Sequence, residues 1–127
     1  MKGVIKMILN LTQHNATQEQ IEAGVIEPSQ EDKETIKRLL TFNDIPTFSD
    51  LYSRASDLAI IASEYDVEYV MIGGAPYLMS NLESAIIAVD LTPVCAFSKR
   101  VSVEKTLDDG SVVKQTVFKH IGFVYLY

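Results

Sequence analysis

Three short apolar runs separated by stretches of helical periodicity set the strongest limit on what this chain folds into. Residues 4–11 (VIKMILNL), 67–72 (VEYVMI) and 93–98 (PVCAFS) are nearly continuous in apolar character, as strands are when a parallel sheet buries both their faces. Helix starts lie between them. Thr17-Gln18-Glu19-Gln20 has the capping-box form, with Gly24 placed to end the short helix that follows. Ser29-Gln30-Glu31-Asp32 precedes Ile36, Leu39 and Leu40, and Thr47-Phe48-Ser49-Asp50 opens a segment whose Leu51, Ala55, Leu58, Ala62 and Tyr65 recur at steps of three and four. After Gly73-Gly74-Ala75, Pro76 suits a first helical turn, with Leu78, Leu82, Ala85, Ile86 and Val89 facing inward. Strands joined through helices imply right-handed crossovers, and so a Rossmann-like three-layer α/β sheet with parallel strands.

The pattern changes after Ser98. RVSVEKTL and VVKQTVFKH alternate on either side of Asp108-Asp109-Gly110, which predicts an antiparallel hairpin on the sheet edge, with IGFVYLY as a further extension. A length of 127 residues suits one domain spanning 1–127.

Charge separates along the chain. Residues 1–94 hold 6 Lys and Arg against 14 Asp and Glu, whereas residues 95–127 hold 5 against 3. The overall net charge of −6 argues against duplex nucleic acid as a partner. Much of the acidity falls in first helical turns, where the helix dipole favours it. A single cysteine, Cys95, excludes an internal disulfide and fits a reduced, cytoplasmic setting, and it reads as a core residue. The interrupted N-terminal run reads as neither signal peptide nor membrane span. Two histidines without HxxxH or HExxH spacing give no metal site, and no cofactor motif is present.

In an open parallel sheet, ligands bind beyond the carboxyl ends of the strands. TQHNAT and GGAP both occupy that edge. Thr12, His14, Asn15 and Thr17 are therefore expected beside Gly73 and Gly74 as a pocket of donors with close backbone approach, although the same residues also read as a satisfied loop and a tight turn. His14 is the better placed histidine for acid/base work, and His120 reads as an edge residue. Ser98-Lys99-Arg100, at the end of the third run, is expected to hold a phosphate at the same edge, or else to be a charged strand exit.

LNLTQHNATQEQ resembles the opening of the small CRISPR-associated ring nucleases. There an apolar strand ends in Asn-aromatic-Ser-His or Phe-Ser-His, followed by a Leu-Thr step and a Glu-Gln helix start. Asn10, Thr12, His14, Thr17, Glu19 and Gln20 take those places, with Gln13 as one extra residue, threonine standing for serine, and no counterpart for the C-terminal ribbon. The resemblance implies binding of cyclic oligoadenylate, most often the tetra-adenylate ring, across a homodimer, and its metal-independent cleavage by 2′-hydroxyl attack. On that expectation His14, Thr12 and Lys99 are catalytic. Asn10, Gln13, Asn15, Thr17, Gly73, Gly74, Ser98 and Arg100 then bind the ligand. Two other expectations remain: a module that senses or sequesters a nucleotide without cutting it, and an interaction subunit that uses the GFVYLY tail.

Overall fold

The computed structural model describes residues 6–127. It is a mixed α/β fold around one five-stranded sheet of order β2-β1-β3-β4-β5, parallel except for the antiparallel β4–β5 pair. The strands are β1 (Ile8–Asn10), β2 (Val25–Ile26), β3 (Tyr69–Met71), β4 (Thr92–Thr106) and β5 (Val112–Tyr125); the helices are α1 (Gln18–Glu22), α2 (Gln30–Leu40), α3 (Phe48–Ser63) and α4 (Pro76–Ala88). Residues 4 and 5 of the first expected strand lie outside the described residues, as do residues 1–5 of the N-terminal run weighed as a leader.

The helix starts follow the local signals. The Thr17 hydroxyl accepts from the Gln20 amide at 3.2 Å while Gln20 Oε1 accepts from the Thr17 amide at 3.0 Å. Thr47 and Asp50 repeat the reciprocal cap at α3, and Ser29 caps α2 through the Asp32 amide. Each cap satisfies amides that the first helical turn cannot.

Alternation along the strands sorts the core. Leu9, Val70 and Ile72 face a cluster built with Ile36 and Leu40 of α2, Ala55, Leu58, Ala59 and Ala62 of α3, and Leu78, Leu82 and Ile86 of α4. Ile8, Met71 and Val94 fall in a second, smaller cluster with Val25, against which Ala16, Tyr69 and Phe123 pack. The three long helices thus all feed one core cluster, and α1, with no buried residue, adds nothing comparable to the other.

Two departures matter for the site. The two-residue strand β2 is too short to carry a period. It is positioned by Gly24, whose φ of +110° and carbonyl accepting from the Ile8 amide at 3.0 Å bring the chain alongside β1. The second is that β4 does not stop at Ser98. It runs to Thr106, paired throughout with β5 apart from a bulge between Phe97 and Ser98. IGFVYLY is therefore no free tail: Val124 pairs with Cys95, Phe123 with Ala96, and Leu126 packs against the main core.

Candidate functional site

The sheet order reverses at β1, which has β2 on one side and β3 on the other. Crossovers leaving such a point diverge, and the crevice they open at the carboxyl edge is where open α/β sheets take ligands. The segment after β1 lies there.

Asn10, the last residue of β1, is 1% exposed, and all of its side-chain hydrogen-bonding capacity is used. Its Nδ2 donates to the His14 carbonyl and to Glu27 Oε1, each at 2.7 Å. Its Oδ1 accepts from the Thr12 amide at 3.0 Å and from the Thr12 hydroxyl at 2.7 Å. Glu27 Oε1 also accepts from the Ala16 amide at 2.9 Å, and Lys33 Nζ lies 2.9 Å from Oε2 as an ion pair outside hydrogen-bond alignment. Lys33 further donates to Asn15 Oδ1 at 3.0 Å. Gln13 Nε2 reaches the Leu40 carbonyl, an acceptor left over at the end of α2. The loop from Leu11 to Thr17 is therefore tied at both ends to β2 and α2 by one polar network.

That network changes the roles read from sequence. Asn10, Thr12, Gln13, Asn15 and Thr17 are at the expected edge, yet their polar groups build the loop. Asn10 in particular has nothing left with which to hold a ligand. His14 is exposed on the loop. Glu27 is the residue that sequence reasoning missed, because β2, the strand that brings it to the edge of Asn10, is too short to leave a signal in the sequence.

The two expected loops do meet. A Cβ on Gly73 would sit 3.6 Å from Thr12 Cγ2, and Gly74 has a φ of +141° in the region that favours glycine. Among the described residues, no acceptor pairs with the amides of Gly73 or Gly74, and α4 begins at Pro76 without a side-chain cap. Between the loops lies a cavity of about 550 Å³, lined by Thr12, His14 and Gln20 on one side, Gly73 and Gly74 on the other, and Met71, Cys95 and Ala96 from the strands. A second cavity of about 420 Å³, with Glu27, Lys33 and Lys37, lies across the Thr12–Asn15 loop, which is the partition between them.

Ser98, Lys99 and Arg100 do not line either cavity. Because β4 continues past the sheet, they sit within the ribbon, exposed and paired with His120, Lys119 and Phe118. Cys95 borders the cavity, but burial, with the nearby Glu83 charge, raises its thiol pKa, so it is a poor nucleophile. Among the described residues no group of three His, Cys, Asp or Glu is placed to hold a metal, and no helix is long and apolar enough to cross a membrane.

Burial pushes the Glu27 carboxyl up, but the hydrogen bonds from Asn10 and the Ala16 amide, with the adjacent Lys33 ammonium, outweigh it and hold the pKa below its ordinary 4.5. A depressed folded-state pKa stabilises the protein above the unfolded value, and that contribution is lost as pH falls through the folded one. Thermal unfolding followed downward from pH 6 should therefore fall more steeply below about pH 4.5 in the native protein than in a Glu27→Gln variant; equal slopes would contradict the network's electrostatics.

A family model spans residues 6–124, which takes in the loop, the cavity and nearly all of the ribbon. The chain belongs to the uncharacterized protein MJ1673 family. In this MJ1673-family chain the polar network and the β4–β5 ribbon both fall inside the matched region. No curated protein and no solved structure matches the chain.

Proposed function

We propose that the protein is a ring nuclease of Rossmann-like α/β fold, cytoplasmic and homodimeric, that binds cyclic oligoadenylate at the β1/β3 edge and opens it without a metal ion, switching off type III CRISPR signalling. The observation that carries this reading is the cavity where the sheet order reverses, with an accessible histidine on one wall and, on the other, two glycine amides that no acceptor among the described residues engages. Backbone amides beside an uncapped helix start suit a phosphate oxygen and its developing charge.

In the reaction, a ribose 2′-oxygen attacks the adjacent phosphorus, the bond to the 5′-oxygen breaks, and the products are a 2′,3′-cyclic phosphate and a 5′-hydroxyl. The 2′-hydroxyl gives up one proton and the 5′-oxygen gains one. His14 carries out one of these transfers. The amides of Gly73 and Gly74 bind the non-bridging oxygens and fix the in-line geometry. Thr12, tied to Asn10, positions the loop rather than reacting. Lys99 and Arg100 lie away from the cavity of their own chain, so their proposed phosphate contacts fall to the surroundings of the dimer.

The test is incubation with cyclic tetra-adenylate in excess EDTA, with chromatographic separation of the products. Linear products are expected, and His14→Ala should lower the rate at least about 100-fold, the usual contribution of one acid or base. Neither turnover nor binding would remove the proposal. A second reading, binding without cleavage, is favoured by the engagement of the Thr12 hydroxyl with Asn10; it expects tight binding of an intact ring and a His14→Ala variant altered only in affinity.

A further inference from the structure

Beyond Phe97 the two last strands leave the sheet. From Ser98 to Thr106 and from Val112 to His120, each is paired only with the other among the described residues. Nine residues of strand extend about 30 Å, against a radius of gyration of about 14 Å for a compact chain of this length. The ribbon is an arm about as long as the body is wide.

Its two faces differ. Cross-strand partners share a face, so one side carries Arg100 stacked 5.4 Å from the Phe118 ring centroid, and Glu104 opposite Lys114, charges of both signs that answer each other. The opposite side carries Val101, Val103, Val113 and Val117, flanked by Lys99, Lys105 and Lys119, and no acidic residue. Val103 and Val113 are each 40% exposed. Lys99 is directly opposite Lys119, a like-charge pair that destabilises an isolated ribbon and is relieved by an acid from outside.

The body offers the complement. At the turn between α2 and α3, Ile45 is 95% exposed and Phe48 73%, and Tyr77 of α4, 53% exposed, lines the same hollow; Asp44 is exposed there, and Asp50 is the capping carboxylate of α3. Arg54, on α3, is engaged with the Leu39 and Thr41 carbonyls and the Phe42 ring, and its charge also acts on Asp50. This corner adjoins the cavity edge, because Leu40 contacts both the Gln13 amide group and the Gly74 turn.

We infer that the valine–lysine face of each arm seats on the acidic, aromatic α2–α3 corner of a second copy of this chain, so that the dimer forms by reciprocal arm exchange. The occupant is a second copy rather than a nucleic acid. Four valines between the lysines gain from an apolar surface and not from a phosphate backbone, and the corner supplies apolar side chains together with the missing acids. A stable pair buries about 1,200–2,000 Å², and reciprocal exchange makes the contact twice. An arm seated there runs beside the partner's cavity and carries Lys99 toward it.

The inference deepens the homodimer part of the function proposed above. Light scattering on the eluting full chain at about 150 mM salt, the physiological level, should give twice the 14.2 kDa chain mass. Lys99→Glu with Lys119→Glu should weaken dimerisation about 100-fold, the effect of like charges brought together. Asp44→Lys should weaken it as well, and the combined charge reversal should restore it, which a misfolded variant would not do. A monomeric full chain, or a dimer indifferent to both reversals, overturns the inference. So does a monomer whose affinity for a fluorescent oligoadenylate strand drops in the double lysine variant, which would make the arm a nucleic-acid contact. A monomer that still cleaves the ring would fail this inference alone, and a dimer without cleavage the nuclease reading alone.

Discussion

Asn10→Asp should cost about 4 kcal/mol of stability at pH 7, the range found when a buried polar pair is turned against itself, and markedly less at pH 5.5. The substitution keeps the shape and the oxygen that accepts from Thr12, but replaces the Nδ2 donor with a second acceptor. That atom lies 2.7 Å from both the His14 carbonyl and Glu27 Oε1, so two hydrogen bonds become two repulsions. Crowding raises the folded-state pKa of the carboxyl pair above its unfolded value. The folded protein then binds more protons than the unfolded one, and stability returns as pH falls, about 1.4 kcal/mol for each unit of upward shift. Asn10→Leu supplies the control, because it removes the same hydrogen bonds with no group to titrate and its deficit should stay level over that range. Urea unfolding of both variants at pH 7 and 5.5 is the measurement. Parallel deficits would mean that Asn10 and Glu27 do not meet as described.

Gly24→Ala is the second large effect. A Cβ there would lie 2.1 Å from the Lys6 carbonyl oxygen, and the φ of +110° is foreign to alanine. Strain alone accounts for about 1–2 kcal/mol. The rest comes from forcing the β1–β2 pair apart, since the Gly24 carbonyl accepts from Ile8. The total should be about 4 kcal/mol, at the severe end of single substitutions, or about 15 °C in Tm for a chain of this size. Gly110→Ala separates the two contributions. It shares a positive φ, +86°, but has nothing within 4 Å of its Cβ position, so it should show the strain alone. Equal losses at both glycines would remove the steric explanation.

Local signals and long-range contacts explain what could be read from the linear chain. The caps at Thr17, Ser29 and Thr47 were legible because donor and acceptor lie three residues apart. Strand direction put the TQHNAT and GGAP segments at one edge, and their meeting depended on the two strands being neighbours, as β1 and β3 are. The Asn10–Glu27 contact spans 17 residues and depends on β2, which has only two residues and no period to detect. Lysine and arginine after an apolar run read as a strand exit, and only pairing with Lys119 and Phe118 keeps Lys99 and Arg100 inside a long strand. His14 and the two glycines line one cavity, whereas Asn10, read as a ligand contact, spends its whole hydrogen-bonding capacity on shaping the loop.

The proposed function requires that a ligand enter the cavity between His14 and the Gly73-Gly74 turn. Titration of the isotope-labelled protein with cyclic tetra-adenylate, followed by NMR at the Gly73 and Gly74 amides and the His14 ring, addresses it directly. Shifts at all three positions that saturate together are expected. Shifts confined to residues 98–120, or none at millimolar ligand, would contradict it.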